Sequence, residues 1–205
     1  MRTPSILAAA TLVTLGGLTD LAAQTAEATA TPAAKPRWEL LIPTGAVVPT
    51  GAQRAAIKRA NLSAVQLSYV RRPALAVTAT VGWARSRDIA AANDPKLDVF
   101  TYDVGAELRA PRLGGAKSTT FMPFAGVGVG ARSYNYRSLD VDATHTVAAY
   151  AGAGAELGVH RIRLRLEARD YVSRFTPLGA GVADMRDAST RNDVVVMAGL
   201  RYVRR

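Results

Sequence analysis

Residues 161–169 read Arg-Ile-Arg-Leu-Arg-Leu-Glu-Ala-Arg, so charged and aliphatic side chains alternate along the whole stretch. In an α-helix this order would spread charge around the circumference and leave no apolar stripe, because helical neighbours lie three and four residues apart. In a β-strand successive side chains point to opposite faces, and the same order gives one charged face and one aliphatic face. The stretch therefore predicts a strand whose two faces meet different environments.

The same two-residue period recurs through most of the chain after residue 36. In residues 97–109, aromatic and aliphatic side chains take one face, and Asp103, Glu107 and Arg109 take the other. A strand that crosses a bilayer at a tilt needs about 9 to 11 residues, and each predicted strand is at least that long. The eight predicted strands cover residues 37–47, 61–71, 74–85, 97–109, 119–132, 146–159, 161–173 and 192–203.

The connections between the predicted strands alternate in length. Those after the second and sixth strands, Arg72-Pro73 and His160, are very short, and residues 110–118 form a moderate link after the fourth. The other links are about ten residues or longer, and they contain Gln53-Arg54, Asp94-Pro95, Tyr134-Asn135 and Thr176-Pro177. Short turns at one rim and long loops at the other are typical of outer-membrane barrels. The sequence predicts an all-β fold, an eight-stranded antiparallel up-and-down transmembrane β-barrel.

The composition narrows the class of protein. The 205 residues contain 26 Lys and Arg against 16 Asp and Glu, a formal net charge of +10, and the mean hydropathy is +0.06. A hydrophobic content of 49% argues against disorder, and the lack of apolar runs of about 20 residues argues against a helical multispan protein. There is no cysteine, and His145 and His160 are the two histidines, so neither a disulfide scaffold nor a zinc site is expected. We expect one domain and no cofactor.

The first residues have the order of a secretory signal peptide, with an early arginine, an apolar run over residues 6–15 and then small residues. We predict a Sec-type signal peptide over residues 1–23, with cleavage as late as residue 28 as an alternative. Residues 24–36 show no periodicity and predict a flexible mature N-terminus, followed by the barrel over residues 37–205. A membrane anchor or an amphipathic N-terminal helix is the competing interpretation of the apolar run.

Two kinds of barrel are compatible with strands that have one apolar and one polar face. A soluble lipocalin-like barrel has its apolar face inside, and an outer-membrane barrel has it outside. The apolar face of residues 146–159 consists largely of alanine, which would fill a soluble core poorly but is tolerated by lipid. We therefore favour the membrane barrel, whose narrow lumen is filled by side chains.

The polar faces then predict an ion network in the lumen. Its members are Glu39, Asp103, Glu107, Glu156, Arg163, Arg165, Glu167, Arg169 and Arg201. Three aromatic residues near predicted strand ends, Trp38, Trp83 and Tyr202, are expected at the membrane interfaces. A second set of cations, Arg54, Lys58, Arg59, Arg85 and Arg87, lies at the long loops, where it would meet lipopolysaccharide phosphates.

The export signal, the eight strands, the alternating connections and the final strand Val194-Val195-Val196-Met197-Ala198-Gly199-Leu200-Arg201-Tyr202 together resemble the small outer-membrane β-barrel family of the OmpA, OmpX and opacity type. Residues 38–40 and 166–172 also look like strands of bacterial outer-membrane β-barrel domains. One departure is that family members usually end on an aromatic residue read by the barrel-assembly machinery, whereas this chain continues past Tyr202 to Arg204-Arg205. The resemblance implies a monomeric outer-membrane protein that contacts lipid, lipopolysaccharide and that machinery.

Sharper site hypotheses fit the sequence less well. The glycines of residues 126–130 are followed by no helix start, as a phosphate-binding loop requires. Residues 140–145 contain two aspartates and a histidine, but a solvated loop explains them better than a cation site. His160 with Glu156 would suit a lipid A-modifying hydrolase, yet Ile162 stands where such an enzyme needs serine.

The sequence therefore favours a non-enzymatic barrel with a plugged polar lumen, which serves envelope structure or surface interaction through its long loops. The alternatives are a small-ligand-binding barrel, either periplasmic or embedded in the membrane, and then a lipid A-modifying enzyme. Nucleic acid is not an expected partner, because the 22 arginines are not gathered on one face with aromatic residues. The loop sequences do not identify a partner.

Overall fold

The computed structural model describes residues 35–114, 119–137, 139–159, 161–174 and 190–202. Its strands are β1 (Arg37–Leu41), β2 (Thr44–Pro49), β3 (Ala60–Arg72), β4 (Leu75–Arg87), β5 (Lys96–Arg109), β6 (Thr120–Tyr136), β7 (Thr144–Val159), β8 (Ile162–Arg174) and β9 (Thr190–Tyr202). They form one antiparallel sheet, which closes because β2 and β9 pair from Thr44↔Ala198 to Pro49↔Asp193. Among the described residues, no helix is long and apolar enough to cross a membrane.

The predicted eight-stranded antiparallel barrel is confirmed, with one difference at the first strand. The predicted strand over residues 37–47 is divided into β1 and β2 at Ile42 and Pro43. Proline has no N–H to donate to a ladder, which explains why the interruption falls there. The Pro43 carbonyl accepts a hydrogen bond from the Ala64 N–H at 3.0 Å, so both halves stay attached to β3.

The seam that closes the barrel changes at this interruption from backbone pairing to side-chain contacts. The β2–β9 register ends at Thr44↔Ala198 in the described residues, and β1 pairs with β3. Beyond that point, side chains join β1 to the end of β9. The Leu41 side chain covers Gly199, where an added Cβ would stand 3.0 Å from Leu41 Cδ1. An Arg201–Glu39 ion pair also crosses the seam.

The two ends of the barrel differ in their connections. Of the described residues between strands, 73–74, 110–114 and 119 lie at the short-turn end, and 50–59, 88–95, 137 and 139–143 lie at the long-loop end. The predicted assignment of Tyr134 and Asn135 to a loop is wrong, because β6 continues to Tyr136. Strand alternation persists there, with Tyr134 and Tyr136 buried and Asn135 exposed.

The first long connection also contains regular structure. Residues Gly51–Ala55, predicted as part of a link, form a 3₁₀-helix whose Gln53 is buried. The predicted turn at His160, the predicted loop that contains Thr176-Pro177, and the predicted signal peptide over residues 1–23 lie outside the described residues. All three expectations remain predictions.

The outer wall of the barrel is apolar over most of its height. Val147 and Leu200 are 81% and 68% exposed, and strands β4, β5, β7 and β9 turn aliphatic or aromatic side chains outward at alternate positions. The intervening positions face the interior. This orientation is opposite to that of a lipocalin-like barrel, in which the apolar side chains would lie inside.

The interior consists of two regions. Toward the short-turn end and the middle it holds charged side chains, and toward the long-loop end it holds an apolar cluster that the alternation of polar faces did not predict. Members of that cluster come from every strand from β2 to β9 and from the residues after the 3₁₀-helix, and they include Val47, Ile57, Leu62, Leu97, Val99 and Tyr134.

Candidate functional site

The interior ion network is centred on three residues of β8. Because side chains two apart share a face of a strand, Arg165, Glu167 and Arg169 all point into the barrel. Arg165 Nη2 donates to Glu167 Oε2 at 2.7 Å, and Arg169 Nε donates to Glu167 Oε1 at 2.6 Å. Each oxygen of the Glu167 carboxylate therefore accepts from a different guanidinium group.

The same two arginines reach across the lumen to β5. Arg165 Nη1 donates to Glu107 Oε1 at 3.2 Å, and its Nη2 donates to the other carboxylate oxygen. Arg169 Nη1 lies 2.9 Å from Asp103 Oδ1, and the Tyr171 hydroxyl donates to Asp103 Oδ2 at 2.7 Å. Side chains of β8 and β5, strands on different sides of the barrel, are thus directly bonded.

At the short-turn end the network includes the first and last strands. Arg109 Nη1 donates to Glu39 Oε2 at 2.9 Å, and Arg109 Nε donates to Glu107 Oε1 at 2.6 Å. Arg201 donates to Glu39 and, at 2.7 Å each, to both carboxylate oxygens of Glu156. Five strands, β1, β5, β7, β8 and β9, are therefore joined by ion pairs inside the barrel.

The network contains five carboxylates and four buried or nearly buried guanidinium groups, and the exposed Arg37 supplies a fifth cation to Glu39 at 2.8 Å. A buried charge is costly unless it is paired and hydrogen-bonded, and every carboxylate of the set lies within ion-pair distance of at least one guanidinium group. The carboxylates are Glu39, Asp103, Glu107, Glu156 and Glu167, and the buried or nearly buried guanidinium groups belong to Arg109, Arg165, Arg169 and Arg201.

Aromatic rings cover the flat faces of the buried guanidinium groups. Arg165 lies 3.7 Å above the Phe124 ring, and Arg169 lies 4.5 Å above the Tyr150 ring. A guanidinium group forms hydrogen bonds in its plane and stacks through its faces, so each of these groups is hydrogen-bonded at its edge and stacked on one face.

Two glycines make room for one of these rings. An added Cβ at Gly128 would lie 2.4 Å from Tyr150 Cε1, and one at Gly105 would lie 2.2 Å from the Tyr150 hydroxyl oxygen. Both positions face the interior in the middle of strands β6 and β5. The glycine series of residues 126–130 thus lies within a strand and leaves space for an interior side chain.

Eight of the nine residues predicted for the lumen meet in this one network. The exception is Arg163, which is buried but donates to the Thr120 hydroxyl at 3.2 Å. The structure adds Arg109 to the network, a residue that already stood on the polar face of residues 97–109. Tyr150 and Tyr171 are further additions, and their inward alternation was the available sequence signal.

A second buried ion pair lies nearer the long-loop end. Arg132 and Asp193 are both inaccessible and are directly bonded. Gln53 of the 3₁₀-helix donates to Asp193 Oδ2 at 2.9 Å, and Arg132 lies 4.5 Å above the Tyr171 ring. The first long connection is thereby fastened to the interior by a polar contact. Neither residue was among those predicted for the lumen.

The predicted interface aromatics occupy opposite ends of the outer wall. Trp38 is 66% exposed at the short-turn end and contacts Tyr69 with ring centroids 4.9 Å apart. Trp83 faces outward toward the long-loop end, with the Arg85 guanidinium 4.3 Å above its ring. Tyr202 is the last residue of β9, and its side chain lies outside the described part.

The residues of the competing site hypotheses are not assembled into sites in the described chain. Glu156, proposed as a partner of His160 in a hydrolase, points into the lumen and is held by Arg201. Asp140 and Asp142 lie in the exposed connection before β7. No three His, Asp or Glu side chains of the described residues form a group that could hold a metal ion.

Arg112, which lies outside the strands, has a shifted pKa. Burial lowers the pKa of the Arg112 guanidinium in the connection between β5 and β6, and the nearby charges of Arg163 and Arg37 act in the same direction. The short-turn rim is therefore locally rich in positive charge.

The barrel superposes on the crystal structure of Neisserial surface protein A, NspA, with a TM-score of 0.53 at 10% sequence identity, covering 82% of this chain and 99% of NspA. The fold is that of the small outer-membrane β-barrels. Two other structures align with lower scores. Ail of Yersinia pestis, crystallised with the heparin analogue sucrose octasulfate, gives a TM-score of 0.43 at 11% identity over 81% of this chain and 98% of Ail.

The N-terminal β-barrel domain of Pseudomonas aeruginosa OprF gives a TM-score of 0.40 at 10% identity, covering 81% of this chain and all of that domain. No protein-family model and no curated protein sequence matches the chain. The likeness is therefore one of fold, and it agrees with the predicted resemblance.

Proposed function

We propose that the protein is a non-enzymatic outer-membrane β-barrel whose lumen is plugged by its own side chains, and that it serves envelope structure or surface interaction through its long loops. The observation that carries the proposal is the ion network that joins β8 to β5 across the lumen. An eight-stranded barrel is just wide enough for side chains to fill it, and bonded pairs across the lumen leave little room for solute.

The outer wall supports the membrane location. Its exposed aliphatic band and its outward tryptophans match the lipid-facing surface and aromatic girdles of outer-membrane barrels. In this proposal the protein is exported through the predicted signal peptide, is inserted by the barrel-assembly machinery, and presents its long-loop end to the outside as a monomer. Lipid and lipopolysaccharide are then its immediate surroundings.

Fractionation and conductance test the two parts of this proposal separately. We expect the full-length protein in the outer-membrane fraction, and recovery in the soluble periplasmic fraction would refute the membrane location. In planar bilayers we expect no steady channels from the wild-type protein. The double variant Glu107→Ala/Arg165→Ala keeps the charge balanced while it empties the centre of the network, so it should conduct. Steady wild-type conductance would refute the plug.

A further inference from the structure

A pocket of about 290 Å³ opens on the outside of the barrel near the long-loop end, where β3, β4, β5 and β6 meet their loops. All of its charged lining residues are cationic and solvent-exposed. We call it the outer basic pocket, and its charged lining consists of Lys58, Arg59, Arg85, Arg87, Lys96 and Arg137.

The sheet itself brings four of these cations side by side. The Lys58 N–H donates to the Arg87 carbonyl at 3.0 Å, Arg87 pairs with Lys96 in the β4–β5 register, and the Arg137 N–H donates to the Lys96 carbonyl at 3.1 Å. Neighbouring strands lie about 4.8 Å apart, so the backbone positions of four cationic residues follow one another at that spacing. Like charges placed directly across a ladder are destabilising.

Ion pairs within the protein neutralise one cation of this row. In the described chain, Arg137 alone of the four forms an ion pair, with Asp98 at 3.2 Å, whereas the Arg87 guanidinium donates to the Asp94 backbone carbonyl. Arg85 has the Trp83 ring as its neighbour. An external anion with more than one negative charge would therefore be bound favourably by this row. Guanidinium groups bind phosphate oxygens well, so phosphate groups match the row.

The walls of the pocket are held in place by buried contacts. The Asp88 carboxylate accepts hydrogen bonds from the N–H groups of Ala90 and Ala91 at 3.0 and 3.2 Å and from the Tyr136 hydroxyl at 2.6 Å. The Ile89 N–H donates to the Ala56 carbonyl at 2.8 Å, which ties the second long loop to the first. The cations therefore project from a fixed frame, which lowers the entropic cost of binding.

Arg59 also lines a second depression, an apolar groove of about 760 Å³ on the lipid-facing wall. Its floor is a single hydrogen-bonded row across adjacent strands, made mostly of small side chains. We call it the alanine groove, and its row runs through Asn61, Ala46, Val196, Ala168 and Ala153. A cation at one end of an apolar track matches a ligand with a charged head and a hydrocarbon chain.

We propose that the outer basic pocket and the alanine groove together bind one multiply phosphorylated lipid of the outer leaflet. Its phosphates are held by the pocket cations, and one acyl chain lies along the groove. This inference rests on the proposed membrane location. The groove is the reason to choose a lipid over a free polyanion, since a water-soluble polyanion would make no use of an apolar track that begins at Arg59.

The test uses full-length protein in detergent and native mass spectrometry, with bisphosphorylated lipid A and its phosphate-free form as probes. We expect the phosphorylated form to bind at least about tenfold more tightly, and Arg87→Gln/Lys96→Gln to remove most of that difference. The control Arg71→Gln/Arg72→Gln removes two exposed cations at the short-turn end and should change nothing. Equal losses in both double variants, or equal binding of both lipid forms, would overturn the proposal.

The groove is tested with Ala153→Leu/Ala168→Leu, which fills it, against Ala79→Leu/Ala106→Leu on another part of the outer wall. Only the first variant should weaken lipid A binding, and neither should affect inorganic pyrophosphate. If the groove variant binds lipid A normally and pyrophosphate competes at equal concentration, the pocket serves a free polyanion and the lipid proposal fails. The proposed function and this inference can fail separately. If the protein fractionates with the outer membrane and does not conduct, but binds phosphorylated and phosphate-free lipid A equally, this inference is refuted and the proposed function stands.

Discussion

Replacing Glu167 by alanine removes the carboxylate that two buried guanidinium groups share. Arg165 loses bonds of 2.7 and 3.0 Å, and Arg169 loses one of 2.6 Å. Breaking a buried ion pair by deleting one partner costs about 3 to 5 kcal/mol. Arg165 retains Glu107, and Arg169 retains Asp103, so we expect Glu167→Ala to cost about 3 kcal/mol, at the lower end of that range.

The loss is measured by urea unfolding of the refolded protein in detergent or lipid vesicles, followed by tryptophan fluorescence and by heat-modifiable gel mobility. The exposed loop substitution Asp142→Ala is the control and should stay within about 0.5 kcal/mol of wild type. The variant Glu167→Gln keeps the volume but not the charge, and it should fall between the two. An unfolding midpoint for Glu167→Ala equal to that of the loop control would refute the assignment of Glu167 to a buried network.

Two further substitutions test the packing of the interior and of the loops. Gly128→Ala places a methyl group 2.4 Å from the Tyr150 ring and should cost about 1 to 3 kcal/mol in the same unfolding assay. Gly82→Ala meets its nearest neighbour, a flexible leucine methyl, at 3.1 Å and should cost less; equal losses would contradict the close packing. Tyr136→Phe removes the donor to the buried Asp88 carboxylate and should cost about 1 to 3 kcal/mol. Limited proteolysis should then cut residues 88–95 faster, and an unchanged cleavage rate would show that this bond does not hold the loop.

Much of the barrel was predictable from alternation alone. A period of two fixes which side chains share a face, and the difference in polarity between the faces then fixes which face meets lipid, as residues 161–169 illustrate. The contacts across the lumen could not be predicted in this way. They depend on how far each strand is shifted against its neighbour, and so Arg109 joined the network while Arg163 turned to Thr120.

The apolar cluster near the long loops was missed for a related reason. Residues such as Leu62 and Leu97 lie at the strand ends, where the sequence changes from a polar to an apolar inward face and gives the same period of two. The outer basic pocket was partly predictable, because Lys58, Arg59, Arg85 and Arg87 were expected at this rim. Lys96 was not expected there because β5 begins one residue before the predicted strand, and Arg137 reaches the side of Lys96 because β6 is longer than predicted.

The division of the first barrel strand at Pro43 has a mechanical consequence. Elsewhere in the described wall, neighbouring strands are joined by backbone ladders, with one register shift between β3 and β4, whereas the seam between β1 and the end of β9 is held by Leu41 and by the Arg201–Glu39 pair. Individual side-chain contacts can break one at a time, whereas the backbone hydrogen bonds of a ladder break cooperatively. The strands of the wall should therefore separate first between the first and last strands, at the short-turn rim. Backbone amides beside this seam should be the earliest in the barrel to exchange with solvent.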